Sequence, residues 1–303
     1  MSSIIQFPHP GSEHNDKTGT KWNTGNHKRK FLKVNGCYLK ELSTNPIEDA
    51  LYFWGEWETP STSTSIKGNK FPLPENIFEP YYTLPVPKNA ANTDPFVFGN
   101  QFHYCICKQG HYPSLRKLEK GDMILFGSNL KGRFVLDTVF VIKDWCDYEI
   151  TELPRYKGQY NDTFYYSSLE PIVNGNQVDA KVITIDTKNG HCLPCNGDDK
   201  TDNNPVKNIK KYRIYNALMF EDKEVNGIFS YVPCLPNPTE KKGFERPSIS
   251  FNPISQNLNQ GIKIIKGENI TKVWYEITAE ILNKGLSLMI KTDLPQLTTN
   301  EEK

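Results

Sequence analysis

The chain has 303 residues, of which 37% are hydrophobic and 12% aromatic, so it is long enough to bury a substantial core as a globular protein. Its 36 Lys and Arg residues balance 35 Asp and Glu residues, which excludes a protein that binds nucleic acid through its overall charge. The 21 prolines and 20 glycines favour short strands joined by long loops over a helical bundle.

The first residues, MSSIIQFPHPGSEH, hold no apolar run of the length found in signal peptides. No window of the sequence approaches the roughly 20 apolar residues that span a bilayer. Seven cysteines form neither an even set nor a dense disulfide pattern, which indicates reduced thiols or a metal site. We therefore expect a cytoplasmic protein with no membrane partner.

Residues 1–40 predict a basic N-terminal arm. Pro8, Pro10 and Gly11 break any long helix, and Phe31 to Leu39 is the first stretch with strand character. The segment from residue 17 to residue 40 holds seven Lys and Arg and no acidic residue, so a local electrostatic surface is available. The arm is either a polar surface segment or a loop that folds over a binding cleft.

The stretch LYFWGEW, residues 51–57, alternates as a strand. Its pattern places Glu56 on the same face as Trp54, and a carboxylate between indoles can hydrogen-bond and stack a planar ligand. Paired tryptophans are, however, more often part of a hydrophobic core. The proline-rich residues 60–87 then predict an extended loop.

The stretch NTDPFVFGNQFHY, residues 92–104, places Asp94 directly before Pro95, which favours an extended or turn conformation for the aspartate. The aromatic strand of residues 96–98 follows. Asp94 is therefore either a turn-forming residue or an acid–base group at the rim of a pocket.

Residues 114–119 predict a short helix, and residues 122–126 and 134–142 predict two strands separated by a turn over residues 127–132. In the second strand, strict alternation places Phe134, Leu136, Thr138 and Phe140 on one face. Both faces are apolar, so we expect this strand to be buried. Asp137 then needs a partner, either Arg133 or a basic residue of the N-terminal arm.

Further strands are expected over residues 177–187, 212–220 and 227–232. Arg246 in GFERP suits either a fork to a phosphate or carboxylate or an exposed salt bridge. A helix follows, capped by Asn269 or Thr271 and ended by Gly285. Its apolar stripe consists of Val273, Trp274, Ile277 and Ile281. Residues 296–303 predict a frayed tail.

Four cysteines are candidate zinc ligands, although their spacing is incomplete for a zinc site and the first pair also suits a strand in the core. They are Cys105, Cys107, Cys192 and Cys195. The sequence has no Gly-x-Ser-x-Gly motif, no cysteine at a helix start beside a histidine, and no phosphate-binding glycine loop. We therefore expect no cofactor.

Aromatic rings, carboxylates and a basic arm remain as the chemistry-bearing groups. Rings can stack a flipped base, carboxylates can accept hydrogen bonds from its amino groups, and cations can neutralise phosphates. One carboxylate suffices to activate water for cleavage of an N-glycosidic bond. The residue types permit this chemistry without requiring it.

The ordered motifs HPGSEH, WNTGNHKRKF, FWGEWE, NTDPFVFG, GDMILFGS, FVLDTVFV, FSYVPC and GFERP resemble a bacterial family of nucleotide-modification-associated domains, the third of that group. The likeness runs from about His9 to Pro247. That family is associated with phage and anti-phage systems that make, read or remove modified DNA bases. More distantly, GDMILFGS and FVLDTVFV resemble the strand pair of PUA-like and EVE-like barrels, which include modified-base readers.

The resemblance implies a base-binding pocket that uses Trp54, Glu56, Trp57, Asp94 and Asp137. It leaves open whether the base is read or excised. This chain is about twice the size of a small reader and carries more loop carboxylates and histidines, which favours an enzyme.

Residues and resemblance together predict an α+β protein, mainly of antiparallel strands in a barrel-like mixed sheet with long loops. We expect one large domain over residues 1–303, with a β-rich core over residues 50–250 and a helix over residues 268–285. The predicted function is glycosylase-type excision of a modified base from DNA in phage defence or DNA modification. The alternatives are a non-catalytic PUA-like reader and a zinc-stabilised interaction module.

Three groups of residues carry this hypothesis. The predicted catalytic carboxylates are Asp94, Glu56 and Asp137. The predicted base-binding residues are Trp54, Trp57, Phe96, Asn92 and Tyr104. The predicted phosphate contacts are His27, Lys28, Arg29, Lys30 and Arg246.

Overall fold

Two sheets organise the chain in the computed structural model, which describes residues 3–9, 29–86, 90–174, 211–222, 226–237 and 243–298. Strands predominate over helices, which confirms the predicted α+β class. In chain order the strands of the described residues are β1 (Ser3–His9), β2 (Lys30–Leu39), β3 (Ile47–Gly55), β4 (Ser61–Ser65), β5 (Asn76–Tyr82), β6 (His103–Tyr104), β7 (Met123–Leu130), β8 (Arg133–Tyr148), β9 (Tyr212–Ala217), β10 (Val232–Pro236), β11 (Lys263–Lys266), β12 (Ser287–Thr292) and β13 (Gln296–Leu297).

The first sheet has the order β11-β1-β7-β8-β9-β6, in which β1 and β7 are parallel and the other pairs antiparallel. The second has the order β12-β10-β3-β2-β5-β13, with β4 paired to β5. Because β12 also pairs with β2, the strands β2, β3, β10 and β12 close into a four-stranded antiparallel barrel. Closure leaves these four strands without a free edge between them.

The helices lie outside the sheets. They are α1 (Asp162–Phe164), a π-helical turn (Tyr165–Leu169), α2 (Glu170–Asn174) and α3 (Ile270–Asn283), with 3-10 turns at Pro113–Arg116, Ile150–Tyr156 and Phe220–Asp222. The predicted C-terminal helix is confirmed as α3. Its Asn269 cap accepts from the Lys272 N–H at 3.0 Å, and Gly285 ends it at a φ of 76°. No helix in the described ranges combines the length and hydropathy that crossing a membrane requires.

β1 was not predicted from the sequence, because the prolines at its C-terminal end favour a loop. The pairing of β1 with β11 ends at Gln6. Pro8, which has no backbone N–H, therefore lies beyond the residues that pair with β11. The parallel partner β7 pairs with β1 from Ile4 to His9, and this long-range pairing, rather than local propensity, decides the structure.

Other boundaries also differ from the predictions. The expected loop of residues 60–87 holds the hairpin of β4 and β5, and the expected frayed tail begins with β13, which pairs with β5. The predicted helix of residues 114–119 is the 3-10 turn Pro113–Arg116. The strand expected over residues 227–232 begins at Val232 as β10. The strand expected over residues 177–187 lies outside the described residues.

A β-bulge in β8 overturns the predicted strict alternation. Phe126 pairs with Thr138 and Gly127 pairs with Leu136, so Asp137 is the extra residue. The bulge shifts the side-chain phase: Leu136 belongs to the same core as Val139, whereas Phe140 belongs to the other core. As predicted, β8 is buried on both faces, from Phe134 to Ile142.

Gly127 fits the bulge because it has no side chain. A Cβ there would lie 2.1 Å from the carbonyl oxygen of Val135 and 2.5 Å from the Phe134 ring. The predicted turn over residues 127–132 is therefore shorter than expected: β7 continues to Leu130, and only Lys131 and Gly132 form the turn, both with positive φ.

We predict that Gly127→Ala lowers the free energy of unfolding by about 1–3 kcal/mol, because the backbone must move to admit the methyl group. Urea unfolding measures this loss. Gly110→Ala is the control, since the nearest atom to its Cβ would be the Tyr212 hydroxyl at 3.3 Å rather than backbone, and it should change stability by no more than about 0.5 kcal/mol. Equal losses in the two variants would contradict the role assigned to the bulge.

Candidate functional site

Five buried residues from five separate segments meet at the ends of the central strands. We call His9, Arg29, Glu56, Asp137 and Arg246 the charged cluster; each is at most 7% exposed. Buried charges are costly unless they are paired, so their convergence is the first indication of a site.

Strand pairing brings these residues together. The last paired residues of β1 and β7 are His9 and Ser128, next to the bulge that carries Asp137. The β2–β3 ladder ends at Lys30 opposite Gly55, so Arg29 and Glu56 lie just beyond it.

Arg246 reaches the cluster from an irregular segment that lies along β8. The Leu136 N–H donates to the Pro247 carbonyl at 2.8 Å, and Val135 forms a bridge with Ser248. These backbone contacts fix the GFERP segment beside the bulge. Of the alternatives predicted for Arg246, the structure shows the fork to a carboxylate, formed with Asp137 as a buried salt bridge.

Asp137 is the centre of the charged cluster. Its Oδ2 accepts from Arg29 Nε at 2.9 Å and from Arg246 Nη2 at 2.7 Å, and its Oδ1 accepts from Arg246 Nε at 2.7 Å. Arg246 Nη2 also donates to Ser128 Oγ. Arg246 therefore grips the carboxylate through two nitrogens, a geometry that fixes direction as well as distance. The expected partner from the N-terminal arm is Arg29.

Arg29 connects the two carboxylates, since its Nη1 donates to Glu56 Oε2. Burial alone lowers the pKa of Arg29, but the charges of Glu56 and Asp137 outweigh burial and raise it. Burial lowers the pKa of Arg246, with Asp137 opposing that shift and Arg29 adding to it. The cluster is a desolvated network in which each charge depends on its neighbours.

His9 extends the network towards a cysteine. Its Nδ1 lies 3.6 Å from Glu56 Oε2, and its Nε2 lies 3.3 Å from Cys107 Sγ. The imidazole stacks on Phe126, with ring centroids 5.9 Å apart and planes inclined by 26°. The prolines and glycine around His9 predict a loop there, and His9 has no site role among the residues predicted from the sequence. His9 belongs to the motif HPGSEH, which is the sequence signal that could have indicated a site. The residues that His9 contacts are distant from that motif in the sequence.

Asp94 lies next to this network but is occupied by the backbone. Its carboxylate accepts from the N–H groups of Cys105 and Ile106 at 2.8 Å each and of Cys107 at 2.6 Å. Asp94 is 1% exposed. Burial raises its pKa to about 6, and the three backbone donors oppose that shift. These contacts support the turn-forming alternative, and a water-activating role for Asp94 has no support in this geometry.

A narrow cleft opens beside the charged cluster, and the space inside it holds about one water molecule. It offers room for water but not for a nucleobase. The residues that line it are Arg29, Gly55, Glu56, Pro95, Val97, Phe126, Asp137 and Thr138.

The rings proposed to stack a base are core residues in this structure. Trp57 is fully buried against Phe98, and Trp54 donates its indole N–H to the Phe244 carbonyl at 2.8 Å. Phe96 and Tyr104 are also 0% exposed, and Asn92, 4% exposed, lies beside the Cys105 thiol. Their role in base binding stays a prediction that requires these side chains to become uncovered.

The proposed phosphate contacts separate into two groups. Arg29 and Arg246 are paired to carboxylates inside the protein, and Lys30 is 6% exposed, with its Nζ 3.2 Å from Ser61 Oγ. In this conformation they do not face a DNA backbone, because the sheet ends enclose them. His27 and Lys28 lie outside the described residues.

Cys105 and Cys107 belong to the loop whose backbone N–H groups donate to Asp94. Among the residues that the structure describes, no group of three or more His, Cys, Asp or Glu side chains is arranged to hold a metal ion. The predicted partners Cys192 and Cys195 fall outside that part of the chain, so the zinc hypothesis stays a prediction.

Fold and site together define an α+β protein with a closed four-stranded barrel, a second mixed sheet and a buried charged cluster where strand ends meet. A scan against protein-family models, a search of curated proteins and a search of solved structures each found no match. The likeness to nucleotide-modification-associated domains and PUA-like barrels therefore stays a prediction. The β7–β8 pair that suggested a PUA-like barrel lies in the six-stranded sheet, outside the closed barrel.

We predict that Asp137→Asn lowers the free energy of unfolding by about 3–5 kcal/mol, because two buried guanidinium groups lose the charge that compensates them. Chemical denaturation measures the loss. Glu79→Gln is the matched control: it breaks the exposed pair with Lys33, 2.9 Å apart, and should cost less than about 1 kcal/mol. Similar losses in both variants would mean that burial gives the cluster no special weight.

We predict that Asp94→Asn lowers stability by about 2 kcal/mol at pH 8, where the carboxylate is ionised, because an amide replaces one of two oxygens that accept backbone N–H groups. Equilibrium unfolding at this pH gives the value. Glu119→Gln, at an exposed position, is the control and should leave stability within about 0.5 kcal/mol of the wild type. An unchanged Asp94→Asn variant would show that the backbone contacts contribute little.

Proposed function

We propose that this protein acts on modified bases in DNA by hydrolysing the N-glycosidic bond, with Glu56 as the carboxylate that activates water. The observation that carries the proposal is the meeting of five distant motifs. HPGSEH supplies His9, WNTGNHKRKF supplies Arg29, FWGEWE supplies Glu56, FVLDTVFV supplies Asp137 and GFERP supplies Arg246. These motifs also carry the resemblance to proteins of DNA-base modification.

Glu56 suits the chemistry better than the other two predicted carboxylates. Asp94 is engaged by three backbone donors, and Asp137 is gripped through both oxygens by arginines. Glu56 lines the water-sized cleft, and its Oε2 contacts both Arg29 and His9. A carboxylate beside a cleft with room for one water is the arrangement that general-base hydrolysis requires.

In the proposed reaction a water held in the cleft attacks the anomeric carbon of the deoxyribose. Glu56 takes one proton of that water as the water oxygen bonds to the anomeric carbon and the bond from that carbon to the base breaks. The base leaves with the bonding electrons and takes up a proton from solvent, and Glu56 releases its proton to solvent. Arg29 holds the Glu56 carboxylate in position throughout. Since the cleft admits only water, the sugar would sit at its mouth and the base outside the charged cluster.

The second candidate is a reader that binds a modified base without cleaving it. The observation that favours it is the fixed orientation of both carboxylates, since Arg29 contacts Glu56 and Asp137 while Arg246 grips Asp137. Acceptors held in place by arginine suit recognition of amino groups on a base edge.

We predict that wild-type protein creates alkali-labile abasic sites in DNA that carries modified bases, and that Glu56→Gln lowers the rate by about 100-fold or more. The glutamine keeps an acceptor for Arg29 but cannot take a proton from water. Strand breaks after alkali treatment, resolved on a denaturing gel, measure the rate on hydroxymethylated, glucosylated and unmodified duplexes and single strands. Glu119→Gln, an exposed position, should retain the wild-type rate.

Each outcome separates the candidates. Abasic sites that persist in Glu56→Gln would overturn the role of Glu56 while keeping the reaction. Selective binding of modified DNA without abasic sites would replace the enzyme by the reader. Absence of both binding and cleavage on every substrate would reject the proposed function.

A further inference from the structure

Cys107, His9 and Glu56 lie in a line, and the proposed glycosidic hydrolysis uses Glu56 but gives no step to Cys107 or His9. Cys107 Sγ is 3.3 Å from His9 Nε2, and His9 Nδ1 is 3.6 Å from Glu56 Oε2. The two ring nitrogens thus face a thiol and a carboxylate on opposite sides. The groups follow the order of a nucleophile, a base and an orienting carboxylate, with the carboxylate at ion-pair distance from the ring rather than at hydrogen-bond distance.

The three residues differ in access. His9 and Glu56 are each 7% exposed, whereas Cys107 is only partly buried. Cys107 is therefore the residue of the three with the most exposed surface. The imidazole is largely covered, and the Glu56 carboxylate borders the water-sized cleft.

Separate hydrogen bonds hold Cys107 and the segment next to His9 in place. The Cys107 N–H donates to Asp94 Oδ2 at 2.6 Å, which fixes the backbone of the cysteine. The next residue, Lys108, donates from Nζ to the carbonyl of Pro8 at 2.8 Å, and Pro8 is the neighbour of His9. The lysine thus ties the cysteine loop to the end of β1. A packing contact between a thiol and an imidazole needs no such brace.

The thiol rests in its protonated form. Burial, followed by the charges of Asp94 and Glu56, raises the pKa of Cys107, while Lys108 and Arg29 oppose that shift. A neutral thiol is a weak nucleophile, so reactivity requires a base within reach, and His9 Nε2 is that base.

We propose that Cys107, His9 and Glu56 form a nucleophilic triad for acyl transfer, acting on the carbonyl carbon of an ester or amide. In the first step Sγ bonds to the carbonyl carbon while His9 Nε2 takes the thiol proton. The bond from that carbon to the alcohol or amine then breaks, and His9 returns the proton to the leaving group. Water cleaves the thioester, its hydroxyl staying on the carbonyl carbon and its proton returning to the thiol.

This inference does not rest on the proposed action on DNA. It needs no nucleic acid, and the water activated by Glu56 in base excision needs no thiol. A protein that fails to cleave modified DNA can still carry the triad, and the experiment below uses no DNA, so the two proposals fail separately.

The test begins with the wild-type chain, which avoids any folding defect. The protein is mixed with p-nitrophenyl acetate at pH 7, release of p-nitrophenolate is followed in time, and the acid-quenched peptides are mapped by mass spectrometry. Cys37 is the internal control, because it is partly buried beside a carboxylate, Glu48 Oε1 at 3.8 Å from its Sγ, rather than beside a histidine. Cys107 should be acetylated at least about tenfold faster than Cys37.

Three variants then assign the roles. Cys107→Ala should abolish the initial burst of p-nitrophenolate release. His9→Gln should slow acetylation of Cys107 by about tenfold or more and move the pH dependence of that acetylation to higher pH. Cys37→Ala should leave the burst unchanged. Thermal unfolding of each variant shows whether it is folded. Equal labelling of Cys107 and Cys37 in the wild type, or an undiminished rate in folded His9→Gln, would overturn the triad.

Discussion

The carboxylate of Asp137 lies buried between two arginines, and the arrangement of the site depends on it. A desolvated aspartate is tolerable only with full compensation, and Arg29 and Arg246 provide it through three hydrogen bonds. Arg29 then has donor capacity left for Glu56, which in turn contacts His9. One buried charge thereby fixes the positions of four residues that are far apart in sequence.

The sheet supplies the place for this aspartate through an irregularity. In a regular β8 the side chain of Asp137 would follow the alternation of its neighbours. The bulge instead inserts Asp137 as an extra residue between Leu136, which pairs with Gly127, and Thr138. The same shift lets Leu136 and Val139 share one core and Phe140 enter the other. The distortion thus serves packing on both sides of the sheet and points a charge at the strand ends.

Two carboxylates that look alike in the sequence have different roles in the structure. Asp94 binds three consecutive backbone N–H groups and shapes the loop of Cys105 to Cys107, whereas Glu56 lines the cleft beside His9. Asp94 positions the loop, and Glu56 is available for chemistry. The loop that Asp94 shapes presents Cys107 to His9, so the two carboxylates act from opposite ends on one imidazole.

The sequence by itself determined the strand-rich α+β class, the buried β8, the capped helix α3 and the need of Asp137 for a cationic partner, because alternation, capping and the cost of a buried charge are local properties. Only the tertiary structure decided β1, the bulge, the second arginine on Asp137 and the contact of His9 with Cys107. These features depend on pairing between β1 and β7, about 120 residues apart, and on a one-residue register shift. Local patterns carry no information about which distant strand supplies the partner.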